Sequence, residues 1–80
     1  MNTENEHTEQ IRKAKAKLDA ASLRLQAVRI RNTAKNYRRQ ANAPINSGQK
    51  EVCDSMAALS EARADELEAR AELLLAEAGI

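Results

Sequence analysis

The side chains best suited to nucleophilic or base chemistry in this sequence are a single cysteine, Cys53, and a single histidine, His7. A catalytic thiol needs a base within hydrogen-bond reach. His7 belongs to the polar segment 1–7, whereas Cys53 falls in an apolar repeat, where a small buried thiol is the ordinary explanation. The sequence therefore predicts no Cys–His catalytic pair.

The second half of the chain is rich in Asp and Glu, which could in principle act as acid and base. These carboxylates alternate with Arg63 and Arg70 at helical spacings, a pattern typical of a solvated helix face. Metal-ligand spacings, Gly-rich phosphate loops and Ser/His/Asp sets do not occur in the sequence. We therefore expect no enzymatic activity, no cofactor and no small-molecule substrate.

A basic cluster near Tyr37 could bind phosphate, since Arg suits phosphate geometry and Tyr can stack on a base. Arg29 and Arg39 have candidate carboxylate partners in the second half, which leaves Arg31, Lys35 and Arg38 as a possible anion or nucleic-acid patch. Nucleic-acid binding through this basic cluster is therefore an alternative function.

Composition indicates long helices. Charged residues make up 31% of the chain, and Ala makes up nearly half of the 42% apolar share, with one Tyr and no Phe or Trp. Burying Ala yields little free energy, because the hydrophobic driving force scales with apolar area at roughly 25 cal/mol per Å². A monomer of this composition would be marginally stable, so we expect a homo-oligomer, in the simplest case a dimer.

Breaker residues divide the chain into one domain, residues 1–80, made of two helices. We predict a frayed tail over 1–7, a first helix over 8–41, a loop over 42–47 and a second helix over 48–78. Pro44 disfavours helix at Ala43, and Asn46 or Ser47 can cap the second helix. Gly79 then stands where a Schellman ending needs a positive φ. So short a connection implies antiparallel neighbours.

Both helices carry an apolar seam with strict heptad spacing, which predicts coiled-coil packing between them. The first helix contributes Ala16, Ala20, Leu23, Ala27, Ile30, Ala34, Tyr37 and Ala41, and the second contributes Cys53, Ala57, Ser60, Ala64, Leu67, Ala71, Leu74 and Ala78. We call these sixteen residues the zipper. Antiparallel pairing about the loop makes partner numbers add to 90 or 91, so Ala27 meets Ala64.

Charge follows the same division of the chain. Residues 1–40 carry ten Lys or Arg against four Asp or Glu, a net +6, and residues 41–80 carry three against eight, a net −5. The two halves should attract each other. The zipper register predicts four ion pairs, which are Arg39–Glu51, Arg29–Glu61, Arg24–Glu66 and Lys13–Glu77.

The first helix carries a second apolar seam on the opposite face. We call it the outer seam, and it consists of Ile11, Ala14, Leu18, Ala21, Leu25 and Val28. A contiguous apolar stripe of this length is seldom left in water. We expect Ile11, Leu18, Leu25 and Val28 to be an association surface, used for homodimerisation into a four-helix bundle or for docking a different protein.

The predicted fold is therefore an all-α, two-helix antiparallel coiled-coil hairpin. The expected function is that of a small interaction protein, an adaptor, regulator or inhibitor that binds a protein partner. One alternative is a nucleic-acid-binding hairpin dimer that uses the basic half of the first helix, and another is a structural subunit of a larger helical assembly. A dimer of such hairpins resembles, in architecture alone, the Rop-type RNA-binding hairpin dimer. The sequence has no signal-peptide pattern and no apolar run that could span a membrane, so we expect a cytoplasmic location and no membrane partner.

Overall fold

The protein is described by a computed structural model that covers residues 3–43 and 48–80. Helix α1 spans Thr3–Ala41 and helix α2 spans Lys50–Glu77. Contacts join the start of α1 to the end of α2, as between Arg12 and Ala78, and the end of α1 to the start of α2. The predicted all-α antiparallel hairpin is confirmed, and the described ranges contain no strand.

Helix α1 begins earlier than the sequence indicated. We expected an irregular tail up to residue 7, but the helix starts at Thr3 and residues 3–7 are part of it. Glu6 lies in its first turn, where negative charge interacts favourably with the helix dipole. An ion pair of 2.7 Å between Glu9 and Arg12 also stabilises this segment. A solvated helix end needs no apolar seam, so the seam's start was a poor guide to the helix's start.

The predicted end of α1 at Ala41 is confirmed. The Asn42 N–H donates to the carbonyls of Arg38 and Arg39, both at 3.2 Å, which closes the last turn. Residues 44–47, with Pro44 and the expected caps Asn46 and Ser47, lie outside the described residues. Gly48 and Gln49 form a short 3₁₀ turn, so α2 starts two residues later than predicted.

The predicted Schellman ending of α2 is confirmed by its hydrogen bonds. The Ile80 N–H donates to the Leu75 carbonyl at 2.9 Å, and the Gly79 N–H donates to the Ala76 carbonyl at 3.1 Å. Gly79 has a φ of 77°. Only a residue without a Cβ adopts this conformation at little cost, which explains why the helix stops here.

The zipper forms as predicted, and every one of its sixteen residues is buried or half-buried. Ala27, Ala64 and Leu67 make up a buried cluster, with Leu23 and Ile30 packed against it. Arg12 and Ala78, which the register places opposite each other, are joined by a 3.3 Å hydrogen bond from the guanidinium to the carbonyl. Small residues in alternate layers let the two helices approach closely along their length.

Candidate protein-interaction surface

The outer seam lies on the face of α1 that points away from α2. Relative exposure is 68% for Ile11, 70% for Leu18, 51% for Leu25 and 52% for Val28, and Ala14 and Ala21 between them are also exposed. The face is opposite because the seam is displaced from the zipper by roughly half a turn at about 100° per residue. The expectation that α2 cannot cover this seam is confirmed.

The rim of the outer seam is basic. Lys15, Lys17, Arg24 and Arg29 flank it and are exposed. Within the described part of the chain, none of these four side chains forms an ion pair with a carboxylate. The surface therefore combines an apolar stripe with positive charge that no described carboxylate compensates.

The sequence had suggested that Arg31 is unpaired on the surface, but the structure shows that it is paired. Its guanidinium donates to Asp65 at 2.9 Å and to Glu68 at 2.7 Å, both on α2. Both hydrogen bonds raise the pKa of Arg31 above its usual value, and the one to Asp65 has the larger effect. The positive charge of Arg31 is thus compensated within the hairpin.

Arg38 is paired in the same way. It donates to Glu61 at 2.8 Å through Nε, and its Nη1 lies 3.8 Å from Asp54. The prediction that Arg31 and Arg38 lack partners is therefore wrong. Both arginines line one surface depression with Lys35, which has no carboxylate partner among the described residues. The capacity of the three residues to bind an anion stays a prediction.

The predicted ion pairs were also wrong in their partners. Glu61 pairs with Arg38 instead of Arg29, and Glu66 pairs with Arg63 and Arg70 on its own helix instead of Arg24. The reason is geometric. A long basic side chain next to a zipper layer meets its carboxylate partner on the other helix about one helical turn away from that layer. Arg31 and Glu68, which form a bridge, each follow a zipper alanine by four positions.

Cys53 is confirmed as a buried thiol at the loop end of the zipper. Its Sγ lies 4.0 Å from Oε1 of Gln40. His7 stands 33 positions before Gln40 on the same helix, and a rise of 1.5 Å per residue separates them by about 50 Å. Within one chain, His7 therefore cannot act as a base for Cys53.

Helix α2 has an outer apolar face that the sequence analysis missed. We call it the outer α2 face, and it consists of Leu59, Ala62, Glu66, Ala69, Leu73 and Ala76. Leu59 is 65% exposed and Leu73 58%. The spacing of three and four residues is again a heptad repeat, but it is rich in Ala and interrupted by Glu66. The signal was present in the sequence and was obscured by the stronger zipper seam.

No protein-family model, curated protein or solved structure matches this chain. Neither described helix has a stretch long and apolar enough to cross a membrane.

Proposed function

We propose that this chain is a small non-catalytic interaction protein, of the adaptor, regulator or inhibitor type, that binds a protein partner through the outer seam of α1. The observation that carries the proposal is the exposure of four large apolar side chains at heptad spacing, between 51% and 70%, on the face opposite the zipper. A rigid helix presenting such a stripe is suited to helix-to-helix recognition.

The energetics favour association. Covering these four partly exposed side chains would contribute on the order of 5 kcal/mol before the entropic cost of association. The zipper itself buries mainly alanines, with Leu67 its largest fully buried side chain. The isolated hairpin has little stability in reserve, so a partner on the outer seam would stabilise the fold as well as use it.

The nucleic-acid alternative has less support. Two of its three candidate residues, Arg31 and Arg38, are bound to α2 carboxylates, and a phosphate would have to displace those carboxylates. The alternative of a subunit in a larger assembly gains support from the outer α2 face, since a chain with two opposite apolar faces can contact two neighbours. A cytoplasmic setting is part of the proposal, because Cys53 is a free thiol.

In the experiment, Leu18 and Leu25 are both replaced by Glu in one variant. Its mass is measured by light scattering and its helicity by circular dichroism. We expect the variant to stay helical but to lose association, because two charges would enter a buried seam. Gln26→Glu with Thr33→Glu is the control, since it adds the same charge to α1 away from the outer seam. If the Leu variant keeps the mass and melting temperature of the wild type, the outer seam is not a binding surface.

A further inference from the structure

The outer seam of α1 and the outer α2 face lie on opposite sides of the same hairpin. One carries a basic rim, and the other belongs to the acidic helix. We propose that the outer seam of one copy binds the outer α2 face of a second copy, so that hairpins associate head to tail. This inference rests on the proposed function, in that it names the occupant of the outer seam.

The two faces match in register when α1 and the α2 of a second copy run antiparallel. Leu18 then pairs with Leu73 and Leu25 with Glu66, and the neighbouring layers pair Ala14 with Ala76, Ala21 with Ala69 and Val28 with Ala62. Ala meets Ala in the two layers on either side of the Leu18–Leu73 layer. This is the pattern of the zipper itself, so the same close approach is available on the outside of the hairpin.

The register has a further consequence for geometry. Partner numbers add to 90 or 91 in these outer layers, as they do in the zipper. The α2 of the same chain and the α2 of the second copy would therefore lie at the same height along the axis of the α1 between them. Neighbouring hairpins would lie side by side without an axial shift.

Charge selects α2 of the second copy over a second α1. Glu72 and Glu77 flank the outer α2 face, and neither forms an ion pair in the described residues, so both are available to Lys15 and Lys17 of the basic rim. Arg63 and Arg70 also flank this face, and Glu66 pairs with both. Two α1 helices packed through their outer seams would instead bring Lys17 towards Arg24, with no carboxylate to compensate.

A head-to-tail contact between opposite faces does not close on two copies. Each added hairpin leaves one outer seam and one outer α2 face uncovered, so association continues into a row or closes as a ring. This arrangement differs from the expected four-helix bundle, in which each helix contacts neighbours about 90° apart around its axis.

The experiment uses two full-length variants that each damage one face. Leu18→Glu removes the outer seam and keeps the outer α2 face, and Leu73→Glu does the reverse. We expect each variant alone to be a monomer of the 8.8 kDa chain mass. Mixed in equal amounts they should form a 1:1 complex of twice that mass and nothing larger, because the intact face of one fits the intact face of the other.

The control is Met56→Glu, an apolar-to-acidic change outside both faces, which should associate like the wild type. If Leu73→Glu keeps the wild-type mass while Leu18→Glu is monomeric, the outer seams pair with each other and the head-to-tail contact is wrong, although the proposed function stands. If wild type is a monomer at high concentration, the second copy is not the occupant. If both variants associate like the wild type, the proposed function is overturned as well.

Discussion

Ala27 and Ala64 are both completely buried and face each other in one layer of the zipper, with Leu67 completing the cluster. Because both side chains are small, the two helices lie close together at this layer. The same close approach leaves no room for a larger residue.

The first prediction is that Ala27→Leu or Ala64→Leu destabilises the hairpin. Three added carbons must enter a packed layer, which typically costs about 1–3 kcal/mol. Urea unfolding followed by circular dichroism measures the loss. Ala58→Leu is the matched control, because Ala58 is exposed on α2 and outside the zipper. A Leu at position 27 or 64 that raises the melting temperature would show that the helices are not in close contact there.

The second prediction concerns the end of α2. Gly79→Ala should lower stability by about 1 kcal/mol, since a Cβ is strained at a φ of 77°. Gly79→Asn should lose less, because Asn tolerates this conformation better. The control is Gly48→Ala, where a Cβ would meet open space and the φ is not positive. Equal melting temperatures for Gly79→Ala and wild type would contradict the observed helix ending.

The third prediction is a pH effect at the start of α1. The hydrogen bond from Arg12 holds the pKa of Glu9 below its usual 4.5. Because the pKa of Glu9 is lower in the folded state than in the unfolded state, its carboxylate stabilises the segment at pH values above the unfolded-state pKa. That contribution disappears as the pH falls through the folded-state pKa. We expect the Glu9 carboxyl to titrate below 4.5 by NMR and Arg12→Gln to move it upward. A Glu9 midpoint that Arg12→Gln leaves in place would exclude the ion pair in solution.

The fourth prediction separates the nucleic-acid alternative from the proposed function. Because carboxylates hold Arg31 and Arg38, we expect weak, salt-sensitive binding to generic RNA or DNA, to which only Lys35→Ala makes a clear difference. Neutralising the carboxylates with Glu61→Gln and Asp65→Asn should increase binding in a salt titration. If each of the three alanine variants instead reduces the salt slope by about one unit, the cluster does bind phosphate and the alternative gains.

The sequence was sufficient for the zipper because burial forces a strict heptad spacing, and each of its residues from Ala16 to Ala78 was identified by that spacing. Ion pairs on the flanks were poorly predicted, since Arg31 and Arg38 each have several carboxylates within reach and a long side chain can select any of them. The outer α2 face was missed for a different reason. Its heptad spacing is present in the sequence, but its Ala-rich layers and Glu66 leave it weaker than the zipper seam, which contains Leu67.

The last prediction follows from the head-to-tail contact and concerns Glu66. It is the one charged residue of the outer α2 face, and the register places it against Leu25 of the next copy. Glu66→Leu should strengthen association, because a fully buried Leu contributes about 1.5–3 kcal/mol relative to an exposed one, or about a tenfold or larger gain in affinity. The lost ion pairs to Arg63 and Arg70 are exposed and contribute little to stability.

An added leucine can also cause unspecific aggregation, and the background distinguishes the two effects. In a Leu18→Glu chain the outer seam is disabled, so Glu66→Leu should leave that chain monomeric in sedimentation equilibrium. Mixed with Leu73→Glu, which retains an intact outer seam, a chain carrying Leu18→Glu and Glu66→Leu should form the 1:1 complex at lower concentration than Leu18→Glu alone does. An unchanged dissociation constant for that complex would mean that position 66 does not face Leu25, and the proposed register would be wrong.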